Sequence, residues 1–395
     1  MSQAQMYSDL NLSPRLLLGP GPSEVDPRVL RALSAPTIGH LDPDFLAVMN
    51  DTVDLLRYVF QTGNLLTLPM SGTGSAGMET VMVNLIEPGD RVVIGVAGLF
   101  GQRMTDVAAR CGAVVEAVKV PWGRAIEPDQ IEAALAKGPA KLVAVVQAET
   151  STGVLQPLDE IIALAHGRGA AIAVDAVTSI GGVELAVDRW GIDACYGGTQ
   201  KCLSCPPGLA PVTFNDRAMG LVTGRRTKIQ SWYLDLNMIQ NYWGQERFYH
   251  HTAPVNMVYA LREALRLIHE EGLEQRFARH ARHAAALQAG IEAMGLKLAA
   301  QAGHRLPSLT TVSVPDGLDE AQVRRDLLAA FGIEIGGGLG ELKGKVWRIG
   351  LMGHSSSRRN VLLFLAAFEA ILRGRGAAVP RGAGTAAAEE FYRSR

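Results

Sequence analysis

Across the first two-thirds of the chain, short continuous apolar runs alternate with stretches in which apolar residues recur every three or four positions. Runs such as RVVIGVAG, AVVEAVKV, KLVAVVQ, AIAVDA, IDACYGG and APVTF are too short for helices and are bounded by turn residues, so they predict strands. LLTLPM precedes them and supplies a seventh. Between several of them lie helical candidates, among them EPDQIEAALAK and LDEIIALAHGRG. This rhythm predicts an α/β fold: a mostly parallel, seven-stranded sheet with helices on both faces.

From about Pro254 the period lengthens. VNMVYALREALRLIHEEG and LEQRFARHARHAAALQAGIEAMG read as long amphipathic helices. The strands LTTVSV and KVWRIG then bracket the helix AQVRRDLLAAFG, and NVLLFLAAFEAILRG closes a smaller C-terminal α+β domain. The expected division is an N-terminal arm over 1–22, a large domain over 23–275, a small domain over 276–375 and a tail over 376–395. The arm ends in LLLGPGPSEVDPR, where proline and glycine interrupt any regular element. The tail, rich in Ala, Gly and charge, is expected to be mobile.

Composition narrows the class. With 48% hydrophobic and 19% charged residues the chain can bury a large core. Lys plus Arg number 38 against 39 Asp plus Glu, and this near balance lacks the basic field that nucleic acid or an anionic membrane would need. Cys111, Cys195, Cys202 and Cys205 are too few for a disulfide framework and point to a reducing compartment. No apolar run reaches membrane-spanning length, MSQAQMYSDLNLSPR has no signal-peptide core, and FYRSR is not a peroxisomal tripeptide. The expectation is a cytoplasmic protein acting on small molecules, with no nucleic acid and no membrane as partner.

Candidate chemistry begins at SGTGSAGMETV, residues 71–81, where Gly72, Gly74 and Gly77 match G-x-G-x-x-G between a strand and a helix. A dinucleotide site also needs an acidic residue at the end of the next strand, yet RVVIGVAG ends in Ala97, Gly98, Leu99 and Phe100. A phosphate fits better, because a helix N-terminus offers unpaired N–H groups and partial positive charge, with Thr73, Gly74 and Ser75 as donors. A tight corner alone would also explain the glycines. Asp175 ends the strand in AIAVDA, and Lys201 follows the turn in GGTQK, so both are expected at the carboxyl edge of the sheet beside the glycines. A lysine, a carboxylate, a phosphate cradle and the aromatic Phe100 are the parts of a pyridoxal phosphate site. Burial beside a cationic ring lowers a lysine's pKa, so it can attack an aldehyde and then shuttle a proton. Most lysines are simply solvated. This one follows two glycines in an uncharged neighbourhood.

With these residues in view the sequence resembles the class V, fold-type-I aminotransferases, and within them the alanine–glyoxylate and serine–glyoxylate branches. The likeness runs through LLLGPGPSEVDPRVL, IGHLDP, SGTGSAGMETV, ETSTGVLQPLD, VDAVTSIGG, GGTQKCLSCPPG, YHHTAPV and KVWRIGLMG, leaving only the ends outside. The resemblance implies that Lys201 joins the cofactor aldehyde and Asp175 partners the ring nitrogen. It implies that Thr73, Gly74, Ser75 and Gln200 hold the phosphate, with Tyr249 and Thr252 reaching it from the second subunit of a homodimer. Phe100 stands where the family stacks an aromatic ring, and Thr150 and Val177 lie against the cofactor. Arg348 would clamp the substrate carboxylate, and Gly21 and His40 would border the substrate.

Weaker signals carry plainer readings. Cys202-Leu-Ser-Cys205 has C-x-x-C spacing, but two packed thiols explain it. His250 and His251 are adjacent and expected to point apart, and His280 and His283 are expected on a solvated basic face. No metal is predicted.

Local chemistry separates the branches of the family. A cysteine desulfurase needs a nucleophilic cysteine before the carboxylate-binding arginine, and IEIGGGLGELKGKVWR has none. A phosphoserine aminotransferase needs additional cations, and no such cluster is identifiable. GGGLG suggests a close pocket for a small acid, so the expected reaction transfers an amino group from alanine or serine to glyoxylate. The alternative is a ureidoglycine–glyoxylate aminotransferase, some of which carry an amide where this chain has His40; Asn256 lies near the same expected subunit edge. Two other classes remain: a ligand sensor on the same fold, for which no DNA-binding module is evident, and a nicotinamide oxidoreductase, which leaves Lys201 unexplained.

Overall fold

The computed structural model describes residues 9–394; residues 1–8 of the expected arm and Arg395 of the expected tail lie outside them. Seven strands form the main sheet: β1 (Leu66–Ser71), β2 (Arg91–Val96), β3 (Val114–Lys119), β4 (Leu142–Val146), β5 (Ala171–Asp175), β6 (Ala194–Tyr196) and β7 (Leu209–Phe214). Their order is β1-β7-β6-β5-β4-β2-β3. β7 runs antiparallel to both its neighbours, and every other pairing is parallel. β4, β5 and β7 are buried at every position, which is why they read as unbroken apolar runs rather than alternating ones.

Helices α1 (Pro43–Phe60), α2 (Gly74–Leu85) and α3 (Leu99–Arg110) belong to this layer. α1 shows how local sequence sets a boundary: Asp42 caps it by accepting from the Asp44 N–H, Pro43 occupies the first turn, and Gln61 ends it in the left-handed region. Two long helices follow, α4 (Val255–Glu271) and α5 (Leu273–Ala293). The C-terminal part contributes β8 (Leu309–Ser313), α6 (Glu320–Phe331), β9 (Gly336–Gly337), β10 (Val346–Gly350), α7 (Arg358–Gly374) and α8 (Ala383–Ser394). β8, β10 and β9 form a small antiparallel sheet. Trp347, Ile349, Phe364 and Phe368 lead a hydrophobic core separate from the core of the main sheet.

Both ends differ from the sequence expectation. Leu16 and Leu17 pair in parallel with Ile333 and Glu334, and Leu18 is buried in the second core, so the arm is stitched to the small sheet's surroundings. The stretch read as a mobile tail contains α8, which buries Gly384, Ala388 and Tyr392. Small residues that resemble a linker in composition here permit close approach: a Cβ on Gly384 would fall 2.2 Å from Met294 Cε. Tyr392 also packs under Arg282 and Arg358.

The histidines of α5 likewise differ from the expected solvated face, one being buried and the other half-buried. His280 is fully buried, its Nδ1 bonded to the Arg276 carbonyl at 2.8 Å and its Nε2 accepting from the Gly353 N–H at 2.9 Å. His283 Nδ1 lies 2.8 Å from the Tyr392 hydroxyl. The basic residues beside them disguise a face turned towards α8 and the 353–356 loop. Among the described residues no helix is long and apolar enough to cross a membrane.

Candidate active site

The carboxyl ends of β1, β4 and β5 open onto a cavity of about 230 Å³ lined by Thr73, Gly74, Ser75, Phe100, Thr150, Asp175, Val177, Gln200 and Lys201. Nine of the sequence-predicted residues therefore meet in one place. The glycine corner turns β1 into α2, and Gly72 sits at φ +141°, where a Cβ would also approach Ala76 Cβ to 2.6 Å. Thr73 is the N-cap of α2 but makes no side-chain cap. The first-turn N–H groups and the positive end of the helix are thus presented to the cavity.

Asp175, the last residue of β5, is almost wholly buried. Its carboxylate accepts from the Tyr196 hydroxyl at 2.7 Å and from the Val177 N–H at 2.9 Å. Burial raises its pKa to about 6, and those two bonds oppose the rise. Lys201 is also buried, and its ammonium donates to the Pro20 carbonyl. Burial first, then the charge of Arg348, brings its pKa down to about 8. Gly21, expected at the substrate, adjoins this lysine: it has φ +104°, and a Cβ there would lie 2.6 Å from Lys201 Nζ.

Phe100 opens α3, and its position is fixed from below by Glu149. That buried carboxylate accepts from the Phe100 and Gly101 N–H groups at 3.2 Å each and from the Ser151 hydroxyl. Burial raises the Glu149 pKa. Arg348 on β10 stands at the other side, donating to the Gly337 carbonyl at 2.7 Å and the Thr150 carbonyl at 2.9 Å. Among the described residues it makes no ion pair, so its charge is available to a ligand; burial lowers its pKa to about 10.

One helix holds both the lysine loop and the loop after β10. Arg276 of α5 donates to the carbonyls of Gly181 and Cys202, at 2.7 and 2.6 Å, and pairs with Glu271 at 2.7 Å. Arg279, one turn on, donates to the carbonyls of Gly353 and Ser356. Cys202 and Cys205 are buried free thiols.

Five predicted residues do not line the cavity: Gly21 and Arg348, which stand beside it as described, and Tyr249, Thr252 and His40. Tyr249 is 62% exposed, Thr252 is exposed, and His40 lies beside the rings of Tyr249 and Tyr242 at 5.2 and 6.3 Å. His250 and His251 do not point apart: the chain bends between them and their Nδ1 atoms meet at 2.8 Å, while His251 Nε2 reaches Ser71 Oγ at 2.8 Å. Asn256 is spent within the chain, donating to the Leu33 and Ala35 carbonyls.

Sequence reasoning missed Tyr196, Glu149 and Arg103. Tyr196 is the register partner of Asp175 across β5 and β6, a pairing that alignment of the two strand ends could have suggested. Glu149 had a signal too, a lone acid in an apolar stretch. Arg103 lines the cavity one turn along α3 from Phe100.

Comparison with known proteins agrees with this geometry. The Aminotransferase class-V family profile matches residues 17–343. The crystal structure of ureidoglycine–glyoxylate aminotransferase from Bacillus subtilis is 46% identical, with a TM-score of 0.96, covering 98% of this chain and 100% of that one. That of alanine–glyoxylate aminotransferase from Nostoc sp. is 49% identical, with a TM-score of 0.92, covering 93% of this chain and 98% of that one. Alanine–glyoxylate aminotransferase of Callithrix jacchus is 42% identical over 93% of this chain and 90% of its own. A lysine and an aspartate at the sheet edge, a helix N-terminus between them and this breadth of likeness have one explanation: the chain belongs to the class V aminotransferases, which depend on pyridoxal phosphate.

Proposed function

We propose that the chain transfers an amino group from a small amino acid, alanine or serine, to glyoxylate, alternating between donor and acceptor in a ping-pong cycle. The observation that carries this reading is Arg348, a buried guanidinium that makes no ion pair among the described residues, close enough to Lys201 to depress its pKa. A planar fork of donors in that place suits an α-carboxylate.

The residues fit the cofactor. Gln200 lines the cavity with a buried amide oxygen that has no hydrogen-bond partner among the described residues. The uncapped N-terminus of α2 suits a phosphate, with Thr73, Gly74 and Ser75 as donors. When bound, pyridoxal phosphate supplies a protonated ring that accepts the electrons left at the substrate α-carbon. Asp175 holds the proton on the ring nitrogen, and Tyr196 keeps that carboxylate in place. Lys201 carries the proton at its Nζ to and from the α-carbon, for which a pKa near 8 is well placed. Phe100 would offer its ring face to the cofactor, and Thr150 and Val177, which line the same cavity, would pack beside it. Arg348 orients the substrate, and Gly21 keeps the space beside Lys201 clear.

The working unit in this reading is a homodimer in the cytoplasm, in which Tyr249 and Thr252 of a second copy complete the phosphate site. The exposed rings of Trp232, Phe248 and Tyr249 support an interface there, and the four free thiols support a reducing compartment. Ureidoglycine as donor is a second reading, favoured by the likeness to the Bacillus subtilis enzyme. Mixing the purified protein separately with alanine, serine and ureidoglycine, and watching the visible band of the lysine-bound cofactor disappear, tests both. Rapid loss with alanine or serine, reversed by glyoxylate, is the expected result. Loss with ureidoglycine alone would replace the first reading with the second.

A further inference from the structure

Arg103 has no part in the scheme above, yet it lines the same cavity. It leaves α3 one turn after Phe100, lies 5.0 Å over that ring and donates to Ser75 Oγ at 3.3 Å. Its neighbour Arg110 on the same helix pairs with Asp106, whereas Arg103 makes no ion pair among the described residues. Charge balance makes this significant. The charged residues lining the cavity are Arg103, Lys201 and Asp175. In the proposed chemistry Lys201 serves the aldehyde and Asp175 the ring nitrogen, and a phosphate monoester brings nearly two negative charges. The helix N-terminus offers about half a positive charge against them.

We propose that Arg103 is a binding residue for the cofactor phosphate, acting from the cavity mouth alongside the N-terminus of α2. A hydroxyl has one donor and two acceptor positions. With the Arg103 N–H donating to its oxygen, Ser75 keeps its own O–H free to donate to a phosphate oxygen. The guanidinium therefore supplies a compensating charge and fixes the hydroxyl's direction, while its contact with the Phe100 face holds it over the mouth. This inference rests on the assignment of the cavity as the cofactor site.

The test uses the full chain stripped of cofactor and titrated with pyridoxal phosphate and, separately, with pyridoxal, which lacks the phosphate. In R103Q the dissociation constant for pyridoxal phosphate should rise about tenfold, that for pyridoxal should stay unchanged, and R103K should recover much of the loss. Added salt should weaken pyridoxal phosphate binding by the parent more than by R103Q, because the pair is partly exposed. Unchanged pyridoxal phosphate affinity in R103Q would overturn the proposal, as would an equal loss for both compounds, which would place the effect on the Phe100 ring. Failure of the parent itself to bind pyridoxal phosphate saturably would overturn the cavity assignment instead.

Discussion

Asp175 and Tyr249 are both expected at one cofactor, yet their surroundings are opposite. Asp175 is buried, bonded to Tyr196 and Val177, and fixed by the middle of a seven-stranded sheet. Tyr249 is 62% exposed on a bent segment after the main sheet has ended. The contrast teaches that the fold of one chain determines the reactive end of the cavity, whereas the proposed phosphate contacts from 249–252 need something the chain does not supply to itself. A group whose partners lie in its own chain is insensitive to protein concentration. One that waits for a second copy is not.

The largest effect tests the buried side. D175N keeps one acceptor, for the Val177 N–H, and turns its amide NH2 towards the Tyr196 hydroxyl, which can accept; it cannot hold the ring proton, and kcat for amino transfer should fall by about 10²–10³-fold with little change in unfolding temperature. A near-normal rate would mean that Asp175 is structural. The exposed side is tested by mixing two inactive or weakened proteins, K201A and the double variant Y249A/T252A. If the segment serves a neighbour's site, refolded mixtures regain one sound site per mixed dimer. The double variant alone should bind pyridoxal phosphate about tenfold more weakly. No regain on mixing would confine both residues to their own chain. The smallest effect concerns α5. Burial first, then Arg276 and Arg279, holds His280 at about 3; burial first, then Arg279 and Arg282, holds His283 at about 4. Both lie below the usual value of about 6.5, so the unfolded chain binds protons that the fold refuses. Their stabilisation is present above about pH 6.5 and is lost as pH falls through about 4 and 3. H280Q, whose amide oxygen can still accept from Gly353, should lose about 2 °C less melting temperature than the parent between pH 7.5 and 5. Asp175 works in the opposite sense, so the difference between the two proteins is the readout. Equal slopes would mean His280 titrates normally.

That nine predicted residues converge on one cavity was legible because each lies at a strand end, in the turn after it or in the first turn of the next helix, where short-range pattern and long-range position coincide. Six of the seven strands were legible for the same reason, because a buried strand announces itself as an apolar run; β3 at the sheet edge is not buried, yet it keeps enough apolar residues in VVEAVK to be read. Glu149 was legible only as a lone acid in an apolar stretch and not in its role, because that role depends on Phe100 and Gly101, brought close only by folding. His280 was misread because the basic residues around it imitate a solvated face, although Arg276 and Arg279 turn inward to carbonyls. The tail was misread because Ala and Gly serve equally in a linker and in a closely packed helix. Composition cannot distinguish these; a packing partner can.

Arg276 and Arg279 carry a further consequence. Through them, one helix is tied both to the peptide that follows Lys201 and to the loop that follows the strand bearing Arg348. The lysine loop and the loop beside the smaller core are therefore tied to one and the same helix. Heat or denaturant that loosens the smaller core pulls on the lysine loop at the same moment, so a change distant from the chemistry can silence the enzyme before the larger sheet has begun to melt.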